Sequence, residues 1–149
     1  MKNASVLYSL IWLSRPLMQA AESLVEDTLV DSGISVRQRA VLEILLQKGP
    51  LSVPDLARAL HIQRQYVQVM VNETQAAGLT DSAENPRHKR SRLIALTPRG
   101  ESLIRAIRDS EMTRVARMAG AFTAEELATA ASVAERLLSE MQTEKERRA

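Results

Sequence analysis

Residues 63–92 hold the side chains with the most specific chemistry in this chain. Arg64, Gln65 and Gln68 lie on the outer side of a short helical pattern, with Gln63 before it and Tyr66 among them. A guanidinium can fork onto the edge of a guanine, and a carboxamide can pair with adenine. Tyr66 suits packing or a phosphate contact. With 3% aromatic residues, binding of single strands by base stacking is not expected. Further on comes Asn85-Pro86-Arg87-His88-Lys89-Arg90-Ser91, and residues 85–99 carry five Lys or Arg and no Asp or Glu. A solvated loop usually mixes signs. An all-positive loop suits phosphate groups, because each neutralised phosphate releases counterions. Alone, either feature reads as polar surface, or as charge that protects a sheet edge. Together they point to a nucleic acid, with Arg87, Lys89 and Arg90 the best candidates in the loop. His88 adds a charge there when protonated, so mild acid is expected to tighten binding.

Other chemistries lack residues to carry them. Cysteine is absent, which removes disulfides, thiolate nucleophiles and zinc–thiolate sites. That fits a reducing cytosol. The only histidines, His61 and His88, lie apart in the expected fold, so a metal site would need carboxylates from elsewhere. His61 reads as a turn residue. Glu125 and Glu126 complement a helix dipole and do not form an acid–base pair. There is no Ser-His-Asp set in a supporting context and no glycine-rich phosphate loop. No catalysis, cofactor or metal is expected.

The elements that must position these groups follow from period and punctuation. Ser52, with Pro54 in the first turn and Asp55 three positions on, opens a helix in a capping-box arrangement. Its place at a helix start also suits Ser52 to a backbone phosphate. Leu56, Ala57 and Leu60 give that helix a buried face, and 61–63 is a turn. A second helix covers 64–77, with Val67, Met70 and Val71 inward and Gly78 as its stop. Strands at 80–84 and 92–96 make a hairpin around the basic loop. Helix, turn, helix and hairpin form a winged helix–turn–helix, whose second helix is built to enter a major groove.

Upstream, 5–30 is helical, with Leu7, Leu10, Leu13, Leu17, Ala20, Ala21 and Leu24 as its stripe. Pro16 is expected to kink or split it. Ser35 and Gln38 form a second capping box before a helix to about Lys48, with Val41, Leu42 and Leu45 buried. Downstream, Thr97-Pro98 opens a long helix with Leu103, Ile104, Ile107, Val115 and Met118 on its apolar side. Thr123 and Glu126 are a third capping box. The last helix carries Leu127, Ala130, Ala131, Ala134, Leu137, Leu138 and Met141, and its charged tail from Thr143 is expected to fray.

The 149 residues make one domain. The formal charge is +2, but it is unevenly spread. Residues 31–99 hold ten basic and six acidic groups, and the flanks ten basic and twelve acidic. The positive field belongs to the central module, which calls for an anionic partner. No signal peptide or membrane span is evident. The end helices present apolar stripes that the central module does not need. A second copy is the best cover for them, since a twofold dimer presents two reading heads.

The ordered set Gln38, Val41-Leu42, Leu56-Ala57, Gly78-Leu79, residues 85–90 and residues 96–100 resembles the MarR family of bacterial transcriptional regulators. The chain differs from the family pattern at His88, where an Asp is usual, at Gln63, where Ser or Thr is frequent, and at Thr74, usually a large apolar residue. The resemblance implies a mainly α fold: a winged helix–turn–helix core at 34–100, with dimerisation helices at 1–33 and 101–149. It implies a cytoplasmic homodimer on a pseudo-palindromic duplex operator, with an Arg of the wing, best matched by Arg90, in the minor groove. It also implies a repressor released by a small-molecule effector, whose pocket residues the sequence does not name. The alternative is a winged-helix module that binds proteins and no specific DNA.

Overall fold

A computed structural model describes residues 2–148. The elements are α1 (Lys2–Leu29), α2 (Val36–Lys48), β1 (Leu51–Ser52), α3 (Val53–Leu60), α4 (Arg64–Ala76), β2 (Thr80–Ala83), β3 (Leu93–Leu96), α5 (Pro98–Ala119) and α6 (Ala124–Glu146). They fall into two compact units, Met1–Glu111 and Met112–Ala149.

The first unit has its core around α2, α3 and α4. Val41, Leu45, Leu56, Val67, Val71 and Ile94 form one buried cluster, and Leu42, Leu79 and Ile104 a second. Each fully buried Leu or Ile contributes about 1.5–3 kcal/mol relative to exposure. The Ser35–Gln38 capping box is formed in both directions, and Val41, Leu42 and Leu45 are the buried face of α2. The Ser52 hydroxyl accepts the Asp55 N–H at 3.3 Å and donates to Asp55 Oδ2 at 2.7 Å. The side chain of Asp55 thus closes on the hydroxyl of the cap, being a methylene shorter than the Glu or Gln of a full box.

The sheet has three strands, in the order β1-β3-β2, all antiparallel. The sequence shows two of them. The third, Leu51–Ser52, is a strand only because Leu51 faces Ile94 and Ser52 faces Leu93. It anchors the root of the wing to the start of α3. α5 comes close to the same root: a Cβ on Gly100 would lie 1.9 Å from the Leu79 carbonyl oxygen. That oxygen accepts the Thr97 N–H at 3.0 Å, and Thr97 Oγ1 caps α5 through the Gly100 N–H at 3.0 Å.

Thr74 is fully buried on the core side of α4. Its hydroxyl donates to the Val71 carbonyl at 2.9 Å and lies 2.8 Å from Thr80 Oγ1. With the Thr74 proton directed at Val71, Thr80 must be the donor between the two hydroxyls. A buried polar pair thus replaces the apolar residue that the resemblance implies here.

α1 runs through Pro16 as one helix, so of the expected kink or split the split is absent. Proline removes one rung of the ladder, and the long regular stretches on both sides continue past it. α6 remains helical through the charged tail to Glu146.

The apolar stripe of α1 is uncovered: Leu7, Leu10, Leu13, Leu17 and Leu24 are all exposed, and Leu29 alone is buried. The second unit contains the end of α5 and all of α6. Its Thr123–Glu126 capping box is formed, yet α6 has no buried residue. Leu127, Leu138 and Met141 face solvent.

Candidate nucleic-acid interface

The turn that aims α4 is set by backbone geometry. His61 ends α3 in the left-handed region, at φ 55°. The Ile62 N–H then donates to the Ala57 carbonyl at 3.2 Å. Gln63 is the extended N-cap of α4, at φ −68° and ψ 142°, and makes no side-chain cap. Val67, Val71 and Thr74 are buried. Helical spacing therefore leaves Gln65, Gln68 and Asn72 on the solvent side, where they are exposed. Gln68 Nε2 donates to Asn72 Oδ1 at 2.9 Å, which orients the Gln68 amide. Tyr66 is exposed as well, at 58%. The first turns of α4 also face the core-mounted wing.

Three shallow hollows meet at this place. One is lined by Gln63, Arg64, Gln65, Gln68 and Val69. The second includes Ser52, Asp55, Arg58, Arg64, His88 and Arg90. The third includes Arg64, Gln68, Ser82, Arg90 and Arg92. Arg64 borders all three and Arg90 two, so the helix start and the wing share one basin.

The wing tip is a pair of consecutive turns. Asn85 Oδ1 accepts the Arg87 N–H at 3.0 Å, the Asn85 carbonyl accepts the His88 N–H at 3.2 Å, and the His88 carbonyl accepts the Ser91 N–H at 3.0 Å. Arg87, His88, Lys89 and Arg90 are exposed on it. The five cations of residues 85–99 divide into two kinds. Arg92 folds across the hairpin, donating to Ser82 Oγ at 2.5 Å and to the Ser82 carbonyl at 3.0 Å. Arg99 Nη1 reaches the Ala77 carbonyl at the end of α4, at 3.3 Å. These two brace the fold. Arg87, Lys89 and Arg90, together with Arg64, are exposed and make no side-chain hydrogen bond or ion pair among the described residues.

Elsewhere in the core module three arginines have carboxylate partners. Arg37 grips Glu73 at 2.7 and 3.1 Å. Arg39 is paired with Glu111 and, more distantly, Glu43, and the Glu111 carboxylate raises its guanidinium pKa above the ordinary value. Arg58 is paired with Asp55. The Ser52 hydroxyl, and after it Arg58, holds the Asp55 carboxyl below its ordinary value. Asp55 therefore stays charged and offsets Arg58, while Arg64 and Arg90, which line the basin without a partner, keep a net positive field over it. Ser52 itself is 5% exposed, and its hydroxyl proton is engaged by Asp55. It serves as the N-cap of α3.

Asn72 and Val69 were not singled out by sequence reasoning, although their spacing from Gln65 and Gln68 would have put them on the same face. Among the described residues there is no group of three or more His, Cys, Asp or Glu that could hold a metal ion, and no helix is long and apolar enough to cross a membrane.

The family model for MarR matches residues 32–91, the stretch that contains the helix–turn–helix and the wing tip. A solved structure of the MarR family transcription regulator SP03579 is 35% identical, with a TM-score of 0.81, over 99% of this chain and 97% of that one. The transcriptional repressor MdtR of Bacillus subtilis is 25% identical over 145 residues, covering 97% of this chain and 94% of its own. A Mycobacterium tuberculosis protein, Rv2011c, is 37% identical over 71 residues. In that alignment the chain spans 50% of the length of the curated relative. A mainly helical chain with a three-stranded wing, similar along nearly its full length to a solved regulator of this kind, belongs to the MarR family of transcription regulators.

Proposed function

We propose that this protein is a dimeric, sequence-specific regulator that binds duplex DNA. The observation that carries the reading is the basin around Arg64. Two unpaired cations, Arg64 and Arg90, line it, Arg87 and Lys89 stand exposed on the adjoining wing tip, and Gln65 and Gln68 lie beside Arg64 on the solvent side of α4. In this reading α4 lies in the major groove. Arg64, Gln65 and Gln68 face base edges, Gln63 and Tyr66 lie at the groove margin, and Arg87, His88, Lys89 and Arg90 hold the flanking backbone, with Arg90 in the minor groove. The core at 34–100 is the reading head.

The residues at 1–33 and 101–149 are assigned to dimerisation. The uncovered apolar stripes of α1 and α6 support that assignment. The operator is then a pseudo-palindrome with half-sites about one turn, roughly 10 base pairs, apart. Repression is favoured by the likeness to MdtR, and release by a small molecule rests on the family resemblance. Such a molecule acts by binding better to a head separation that does not match the groove. The setting is the bacterial cytoplasm.

Selection of bound sequences from a random duplex pool tests the reading. The expected product is a two-armed consensus occupied by two protomers. At about four phosphate contacts per protomer, log affinity should fall with log salt at a slope on the order of −7. A pool that yields no preferred sequence, with flat salt dependence, would leave the protein-binding module as the surviving account.

A further inference from the structure

Val69 is exposed where neither core packing nor helix propensity explains it. It is the apolar member of the hollow formed by Gln63, Arg64, Gln65 and Gln68. Half of its surface is open, and the side of α4 that packs inward carries Val67, Val71 and Thr74. Valine is a poor choice for a solvated helix centre, because its β-branch loses rotamer freedom there.

We propose that Val69 is a specificity-determining residue that meets the 5-methyl group of a thymine. This inference rests on the DNA-reading proposal and deepens it. The thymine methyl is the apolar mark on the major-groove edge of a base pair, and an aliphatic side chain is its natural contact. One turn of helix separates Gln65 from Val69, and Gln68 directly precedes it. Gln68 is held by Asn72 through one Nε2–H. Its second N–H and its Oε1 remain for the N7 and N6 positions of an adenine. An oriented amide beside an isopropyl group fits adenine and thymine in neighbouring positions. Cytosine offers no methyl at that point and places an amino donor nearby, so the isopropyl group would desolvate a polar edge with no return.

The test uses the full chain and the duplex selected from the random pool. Each thymine is replaced in turn by deoxyuridine, which lacks the methyl and nothing else. The wild-type protein should lose about fourfold in affinity at one thymine per half-site, equivalent to the ~0.8 kcal/mol of one methyl-sized group. The Val69→Ala variant should be insensitive at that thymine and unchanged in its response elsewhere. Its helical content, read by circular dichroism, should match wild type, since Val69 belongs to neither buried cluster. Identical responses of wild type and Val69→Ala to every replacement would overturn the assignment and leave the reading head standing. Failure to select any sequence would remove the reading head, and this assignment with it.

Discussion

The cations of the wing and the start of α4 differ in what they can recognise. Arg64 presents a planar fork beside carboxamides, whereas Lys89 carries a compact charge on a flexible stem at a turn. Removing Arg64 with Arg64→Ala should therefore relax sequence choice, narrowing the gap between selected and scrambled duplexes. Lys89→Ala should weaken both duplexes alike and make the salt slope shallower by about 2 for a dimer. Equal, uniform losses from both variants would mean that Arg64 contacts only phosphate.

Elements are held here by a few buried or capping groups whose removal has a definite sign. Thr74→Val leaves the Thr80 hydroxyl buried without its acceptor. The expected cost is about 1–3 kcal/mol. Adding Thr80→Val removes the orphaned group, and the double variant should recover most of the loss in a urea titration. A double variant as unstable as the sum of the two single ones would show that the pair is not coupled. Glu126 gives a pH signature. The Thr123 backbone N–H, and then its hydroxyl, lower the Glu126 pKa below the ordinary carboxylate value. A carboxyl depressed in the folded state stabilises it above that ordinary range, and the contribution is lost as acid protonates it. Helical signal in wild type should therefore fall as pH drops from about 5 toward 3, more than in Glu126→Gln, whose amide caps without ionising.

What the sequence revealed of these elements was whatever is local. The Ser35–Gln38 and Thr123–Glu126 boxes lie within four residues of chain, and both are formed. β1 was invisible because its two residues become a strand only by pairing with β3, far along the chain. The split expected at Pro16 does not occur, because one missing rung counts for less inside a helix of 28 residues. The same division holds at the interface. Its charge run is plain in the sequence, but the roles of Arg92 and Arg99 as braces depend on Ser82 and Ala77, which folding brings to them.

Across the whole molecule the contrast is between a reading head with a packed core and end helices whose apolar faces have no cover. Leu13 and Leu17 on α1 are more than half exposed. Changing both to Glu should leave the core of the head intact, because neither belongs to its buried clusters. Sedimentation should then report a monomer. Affinity for a two-armed operator should fall about a hundredfold or more, since each half-site is then bound independently. A variant that stays dimeric would move the interface elsewhere.

The bare surface of α6 also bears on gene dosage. If a second copy supplies its cover, protomers made at levels below the pairing constant are mostly single. Operator occupancy then follows the square of protomer concentration, so halving synthesis cuts it about fourfold. A regulator built this way falls silent in dividing cells sooner than dilution alone would dictate.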